Sequence, residues 1–388
     1  MRTRAALTTT TVVVGLALAG PLATAARSAP PVTGWTSVDL GTLGGQRTEA
    51  RDVNSRGQVV GQSQTADGTF HAFLWQDGVM TDLTPGAAQS AAYAVNDRGT
   101  VVGHVQLAPG EPMQAARWSA GTMTLVAGQE FALEVDERGR VAGTGPDPAD
   151  PWTTSPFLST AGGTTSVGPV PFPETWPSSS LVDLNAHGTL LGRTEGYDDR
   201  EISYVWRQGV LTRVGAAGGR FLAVDLNDRG HVVGQASDGA SPWGAVLWRD
   251  GQTVPLGVLP GGTWSSPTAV NEHDVVVGWT QLPGLDTARR AFVWRDGVLR
   301  PVVTDAGVTS EARAVNDRGQ IAGQIGYQGA GGTRVERAFA WDRGTLTRLG
   351  GEHRAVVVTD QSARGHVLVN EYDEGVRARL HVPPRHRS

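Results

Sequence analysis

The sequence predicts an all-β chain closed into a ring of four-stranded blades, an eight-bladed β-propeller, on three observations. A turn of the form Asn-Asp-Arg-Gly recurs along the chain at nearly even spacing. An apolar triplet closed by Trp follows most copies of that turn. The segment that opens the repeats is the one that the last repeat lacks.

In chain order, residues 1–25 read as a secretory signal. Arg2 and Arg4 form a positive start, residues 11–20 a short apolar run, and Ala23-Thr24-Ala25 a small-x-small cleavage site. The run falls short of the roughly 20 residues that span a bilayer. Residues 26–33 are a short linker, residues 34–382 the propeller domain and residues 383–388 a C-terminal tail. Losing Arg2 and Arg4 moves the formal net charge from −5 to −7. The expectation is a secreted, extracellular bacterial protein, released as a monomer with no membrane contact after cleavage. Arg used without any Lys fits a high-GC source.

Composition excludes several chemistries. The chain has 388 residues, 39% hydrophobic and 18% charged, which suffices for one large core or two smaller ones. It has no Cys, so disulfides, thiol catalysis and Cys-ligated metals are ruled out. All 33 basic residues are Arg, which removes the P-loop Lys, Schiff bases and Ser–Lys acyl transfer. A mildly acidic chain without a clustered basic surface is a poor partner for nucleic acid.

The repeat is clearest at Ala94-Val95-Asn96-Asp97-Arg98-Gly99 followed by Val101-Val102-Gly103. Further strong copies centre on Asn54, Asn227 and Asn316, and weaker ones lie at 136–139, 185–188, 271–274 and 362–365. The last turn position falls at 57, 99, 139, 188, 230, 274, 319 and 365, about 44 residues apart. Asn, Asp and Gly in this order suit a type I turn closing on a Gly bulge between two strands. The apolar triplet then ends on Trp75, Trp118, Trp206, Trp248, Trp294 or Trp341, with Ser159 and His381 standing in for the two missing Trp. A second hairpin turn follows, as in Asp77-Gly78 or Asp250-Gly251, and then a short alternating strand.

No segment has a sustained 3.6-residue apolar period. Four strands in about 40–45 residues is the arithmetic of a propeller blade. Residues 34–41 match a fourth strand, whereas the last copy stops at a third, Arg377 to His381. The termini are therefore expected to share one blade, which also removes an exposed sheet edge. A degenerate third or fourth copy would reduce the count to seven.

Leu40-Gly41-Thr42-Leu43-Gly44-Gly45, Asp52-Val53-Asn54, Val59-Val60-Gly61 and His71-Ala72-Phe73-Leu74-Trp75 together resemble the extracellular HAF-repeat family. His-Ala-Phe is intact once and becomes Arg-Ala-Phe at 290–292 and 337–339. The resemblance implies secretion and a repeat-built β structure, and no particular activity.

Equal spacing assigns the repeated Trp residues to packing between blades, since each blade must bury a face. The irregular aromatics differ. In a meander the short repeated turns lie at one end of the ring and all long, unlike loops at the other, where binding residues usually sit. That end is expected to carry Trp152, Trp176, Tyr197, Trp243, Trp264 and Trp279 as ligand-binding candidates, with Tyr327 nearby. It also carries Asp147, Asp150, Glu195, Asp198, Asp199 and Glu201, which would suit an acid/base pair for glycoside cleavage. No zinc motif, nucleophile elbow or calcium loop is present. The leading expectation is a non-catalytic module, without cofactor or metal, that binds an extracellular glycan, peptide or protein. A polysaccharide hydrolase or lyase and a structural repeat protein are the alternatives.

Overall fold

Each copy of the repeat folds as a four-stranded antiparallel meander, and eight such blades close a ring. The computed structural model describes residues 3–4 and 34–384, apart from 173–174, 197–200, 216–218, 238–243, 285–287 and 330–331. The elements among them are all strands. In blade 5, for example, Arg220–Leu226, Val232–Ser237, Gly244–Arg249 and Gln252–Pro255 pair in sequence order. The first strand of each blade is innermost. Blades 1 to 8 contribute Gly44–Val53, Gln89–Val95, Phe131–Val135, Thr175–Leu184, Arg220–Leu226, Trp264–Val270, Thr309–Val315 and Ala355–Gln361 to the wall of a central channel.

The ends close the ring as the sequence predicts, and the count is eight. Blade 8 takes Ala355–Gln361, Val367–Tyr372 and Val376–Val382 from the C-terminal side, and its outer strand is Thr36–Asp39. Thr36 pairs with Val382 and Asp39 with Arg379. A two-residue strand, Thr3–Arg4, lies at the other edge of this sheet opposite Gln361 and Asp360. The second hairpins are type I′ in character. Asp77, Asp250 and Asp296 take φ near 50°, each followed by a Gly of positive φ.

Every inner strand carries a β-bulge just before the turn, as between Ala92 and Ala94 or Ala223 and Asp225. The bulge drives an inner-strand carbonyl toward the second strand, which explains the Gly of Val-Val-Gly. A Cβ on Gly103 would lie 2.0 Å from the Ala91 carbonyl oxygen, so no side chain fits there.

The core consists of eight apolar clusters, one at each seam between neighbouring blades. Trp75, Trp118, Trp206, Trp248 and Trp294 are buried in seams 8–1, 1–2, 3–4, 4–5 and 5–6, and Trp341 packs into seam 6–7. Truncating such a Trp to Ala would cost about 3–5 kcal/mol. At seam 7–8, where His381 replaces Trp, the indole of Trp35 packs against the cluster.

The repeated turn also joins blade to blade. Its Asn accepts N–H groups of its own turn through Oδ1 and donates from Nδ2 to the carbonyl of the next blade's turn. Asn54 donates to Asn96 at 2.9 Å, Asn96 to Asp136 at 2.8 Å, and Asn185 to Asn227 at 3.1 Å. Asn227, Asn271 and Asn316 continue the series to Asn271, Asn316 and Ser362. These Asn residues are buried. The following position forms a second tier: Asp97 accepts the Ser55 N–H, Glu137 that of Asp97, Asp228 that of Ala186, Glu272 that of Asp228 and Asp317 that of Glu272.

Candidate functional site

Two ends of the channel are candidates, and their chemistry differs. At the turn end a recess is lined by Glu134, Asp136, Glu137, Asp183, Asp225, Asp228 and Glu272. Most of these carboxylates serve backbone donors. Asp183 accepts Leu184 and Leu226, and Asp225 accepts Leu226 and Val270, whose N–H groups the bulges expose. Burial and the adjoining Asp183 carboxylate hold Asp225 well above the usual carboxylate range. Burial lifts Glu272 to about 7, with the Asp228 and Asp317 charges adding to it. Among the described residues, no group of three or more His, Asp or Glu side chains is arranged to hold a metal ion. The recess thus lies within the inter-blade hydrogen-bond tiers.

The loop end carries the irregular aromatics. Trp152 sits in the turn between Val141–Pro146 and Thr154–Thr160 of blade 3 and is 96% exposed. Its backbone N–H donates to Asp150 Oδ1 at 3.1 Å. Asp147, nearly fully buried, closes the same turn by accepting the Ala149 N–H at 2.8 Å. Trp176 lies on the inner strand of blade 4, with its side chain outside the described residues. Tyr197, Trp243, Asp198 and Asp199 lie outside them altogether, as do the side chains of Glu195 and Glu201. The Tyr327 hydroxyl donates to Glu352 at 2.8 Å.

Trp264 and Trp279 come together on blade 6. The pleat sets Trp264 and Ser266 on one face of the inner strand, and Ser266 is opposite Trp279 in the next strand. The two indoles meet edge to face, with centroids 4.7 Å apart and planes at 68°. Trp279 is buried and Trp264 half-buried. Arg289, from the third strand, lies over the Trp279 ring at 4.0 Å. Its guanidinium continues to Glu311 on the inner strand of blade 7. Arg313 contacts the other Glu311 oxygen at 3.4 Å, and Gln324 donates to that oxygen at 3.4 Å.

Sequence reasoning did not single out Arg289, Glu311 or Arg313. One signal was available: Glu311-Ala312-Arg313 repeats Glu49-Ala50-Arg51 at the same place in the blade. In blade 1, Gln62 donates to Glu49 as Gln324 does to Glu311, and Arg51 lies over Tyr93 at 4.6 Å. Tyr93 in turn contacts His104, whose ring meets Phe131 edge-on. Burial, reinforced by Arg51, holds His104 down at about 4.

No family model and no curated protein matches the chain. Solved structures do match. A prolyl endopeptidase aligns at 12% identity and TM-score 0.55, over 84% of this chain and 54% of its own. Pyrococcus horikoshii acylaminoacyl peptidase aligns at 11% identity and TM-score 0.49, over 78% of this chain and 53% of its own. The β-propeller domain of the Trilobed protease from Pyrococcus furiosus aligns at 12% and 0.47, over 78% and 97%. The chain spans about half the length of the first two, and at 12% identity the similarity to the first shows the fold alone.

Proposed function

We propose that this propeller is an extracellular, non-catalytic binding module whose ligand, a glycan, peptide or protein, docks at the loop end of the ring. The carrying observation is the placement of Trp264. Its half-exposed ring is held edge to face by Trp279, itself covered by Arg289, at the channel rim, whereas most other Trp side chains among the described residues are buried in seams. Rigid indoles give large contact area at little entropic cost, and loops on a rigid scaffold are the usual place for recognition. The fully exposed Trp152 supplies a second contact on the same end of the ring.

Glycan, peptide and protein arrays probed with the mature chain test the reading, beside Trp152→Ala and Trp264→Ala variants that keep the wild-type melting midpoint. Binding weakened at least tenfold by either variant is expected. Arrays blank for all three ligand classes, or a bound saccharide cleaved on incubation, would overturn it.

A further inference from the structure

We infer that the blade 6–7 rim is a subsite for a carboxylate-bearing sugar, with Trp264 as the stacking face and Arg313 as the group that reads the carboxylate. This rests on the binding-module reading above and names its ligand class. The geometry supplies three conditions that such a ligand needs.

The first is a surplus of donors. Two guanidinium groups bring five N–H groups each, whereas Glu311 offers about four acceptor positions, one of which Gln324 uses. The Nε–H groups of Arg289 and Arg313 are buried without an acceptor among the described residues. Two cations around one carboxylate also leave a net charge of +1, so a ligand that brings acceptors and negative charge completes the group.

The second is orientation. Arg289 is pinned, because its plane lies on Trp279 and its end on Glu311. Arg313 meets Glu311 only at 3.4 Å and is 26% exposed. Among the described residues its terminal nitrogens meet no carboxylate but Glu311, which leaves N–H groups on them to take both oxygens of a ligand carboxylate, the geometry for which a guanidinium is suited.

The third is an adjoining apolar face. Trp264 shows part of its ring and is fixed edge to face against the same Trp279 that Arg289 covers. A pyranose ring stacked there would place a carboxylate on C5 toward the arginines. The equivalent seam between blades 8 and 1 lacks this feature, since Arg51 is committed to Tyr93 and Ala355 of blade 8 stands where blade 6 has Trp264.

The test compares a galacturonate trisaccharide with its methyl ester, the same rings without the charges, in calorimetric titration against the secreted chain. The acid should bind at least tenfold more tightly than the ester. Arg313→Gln should abolish that difference, Arg313→Lys restore part of it, and Trp264→Ala weaken both ligands. Arg51→Gln should leave binding within twofold. Each variant is taken forward only with an unchanged melting midpoint, and Arg313→Lys guards against a purely structural loss. Equal binding of acid and ester, or failure of both while the arrays show neutral glycans or peptides bound, would overturn the carboxylate subsite and leave the binding module standing. Blank arrays would overturn both.

Discussion

Asn96→Ala removes one link of the inter-blade ring, and the structure sets its cost. The side chain is fully buried. Its Oδ1 accepts the N–H of Arg98 at 3.0 Å and of Thr100 at 2.9 Å, and its Nδ2 donates to the Asp136 carbonyl at 2.8 Å. Truncation orphans the Arg98 and Thr100 N–H groups and takes one of two donors from the Asp136 carbonyl, which still accepts the Gly139 N–H at 3.0 Å. Each unsatisfied buried group costs about 1–3 kcal/mol. The turn's own bonds, Asn96 N–H to Thr100 and Gly99 N–H to Asn96, survive and limit the damage. The lower end of the range applies to the two orphans, and with the lost donation the total is about 3 kcal/mol. Asn96→Ser is the informative companion. Ser362 holds the same place in blade 8 and its hydroxyl still accepts the N–H four residues on, at 3.1 Å. It should keep part of the turn, lose the donation to blade 3, and cost roughly half as much. Arg98→Ala, at an exposed position of the same turn, should stay within about 0.5 kcal/mol. Urea unfolding with an unchanged slope reads all three. An Asn96→Ala loss no larger than that of Arg98→Ala would refute the role of the ring. An Asn96→Ser loss equal to that of Asn96→Ala would place the whole cost in the lost donation, and one no larger than that of Arg98→Ala would place it in the turn.

Two further outcomes follow from the closing blade. Deleting residues 34–40 removes the outer strand of blade 8 together with Trp35 and Leu40, which pack into seams 7–8 and 8–1. The deletion should abolish the single cooperative transition in thermal and urea unfolding and promote association through the bared edge. A monomer with an unchanged midpoint would contradict the closure. The second outcome concerns His381, which burial, then Arg379 and His353, hold down at about 4. The unfolded chain protonates near 6.5. Stability from the neutral buried ring is therefore fully present above about pH 6.5 and is lost as pH falls toward 4. Between pH 7 and 4.5 the wild type should lose more stability than His381→Gln in urea titrations, and parallel curves would refute the assignment.

The fold was legible because it is repeated, and repetition exposes local rules. Asn-Asp-Arg-Gly read correctly as a turn, the Trp series as seam packing, and residues 34–41 as the missing strand. The cross-blade reach of Asn was not legible, since a turn accounts for the same residue type without any neighbour. The Gly of Val-Val-Gly was likewise visible, but the bulge that demands it belongs to a different strand. At the loop end, residues were visible only as departures from the repeat. Trp264 and Trp279 stood out for that reason, whereas their contact depends on strand register. Arg289 escaped because Arg is the chain's general-purpose basic residue. Its place over Trp279 and against Glu311 is set by two blades meeting at the rim.

The two seams whose turns lack Asn show what the ring requires. In blade 3 the residue is Asp136, which accepts the Arg138 and Arg140 N–H groups as Asn would but has no proton to donate onward. Arg140 supplies the donation instead. Its Nε is held by Asp136 at 2.5 Å, and its two terminal nitrogens donate to Ala186 and His187 of blade 4 at 2.7 and 3.0 Å. In blade 8 the residue is Ser362, too short to cross the seam. Its hydroxyl accepts the His366 N–H and lies 3.1 Å from His366 Nδ1, and the imidazole interacts with the backbone of Asn54 in blade 1. The physical requirement at each seam is therefore a donor that reaches the next blade's turn and an acceptor that fixes its own, whichever side chains provide them. The Ser362–His366 pair meets it at seam 8–1, where the C-terminal repeat meets the first, while the Thr36–Asp39 strand completes blade 8 at its outer edge. Side-chain donors thus cross every seam from 1–2 to 7–8, and the His366 imidazole meets the Asn54 backbone at the eighth, so the channel's turn end is committed to holding the ring together.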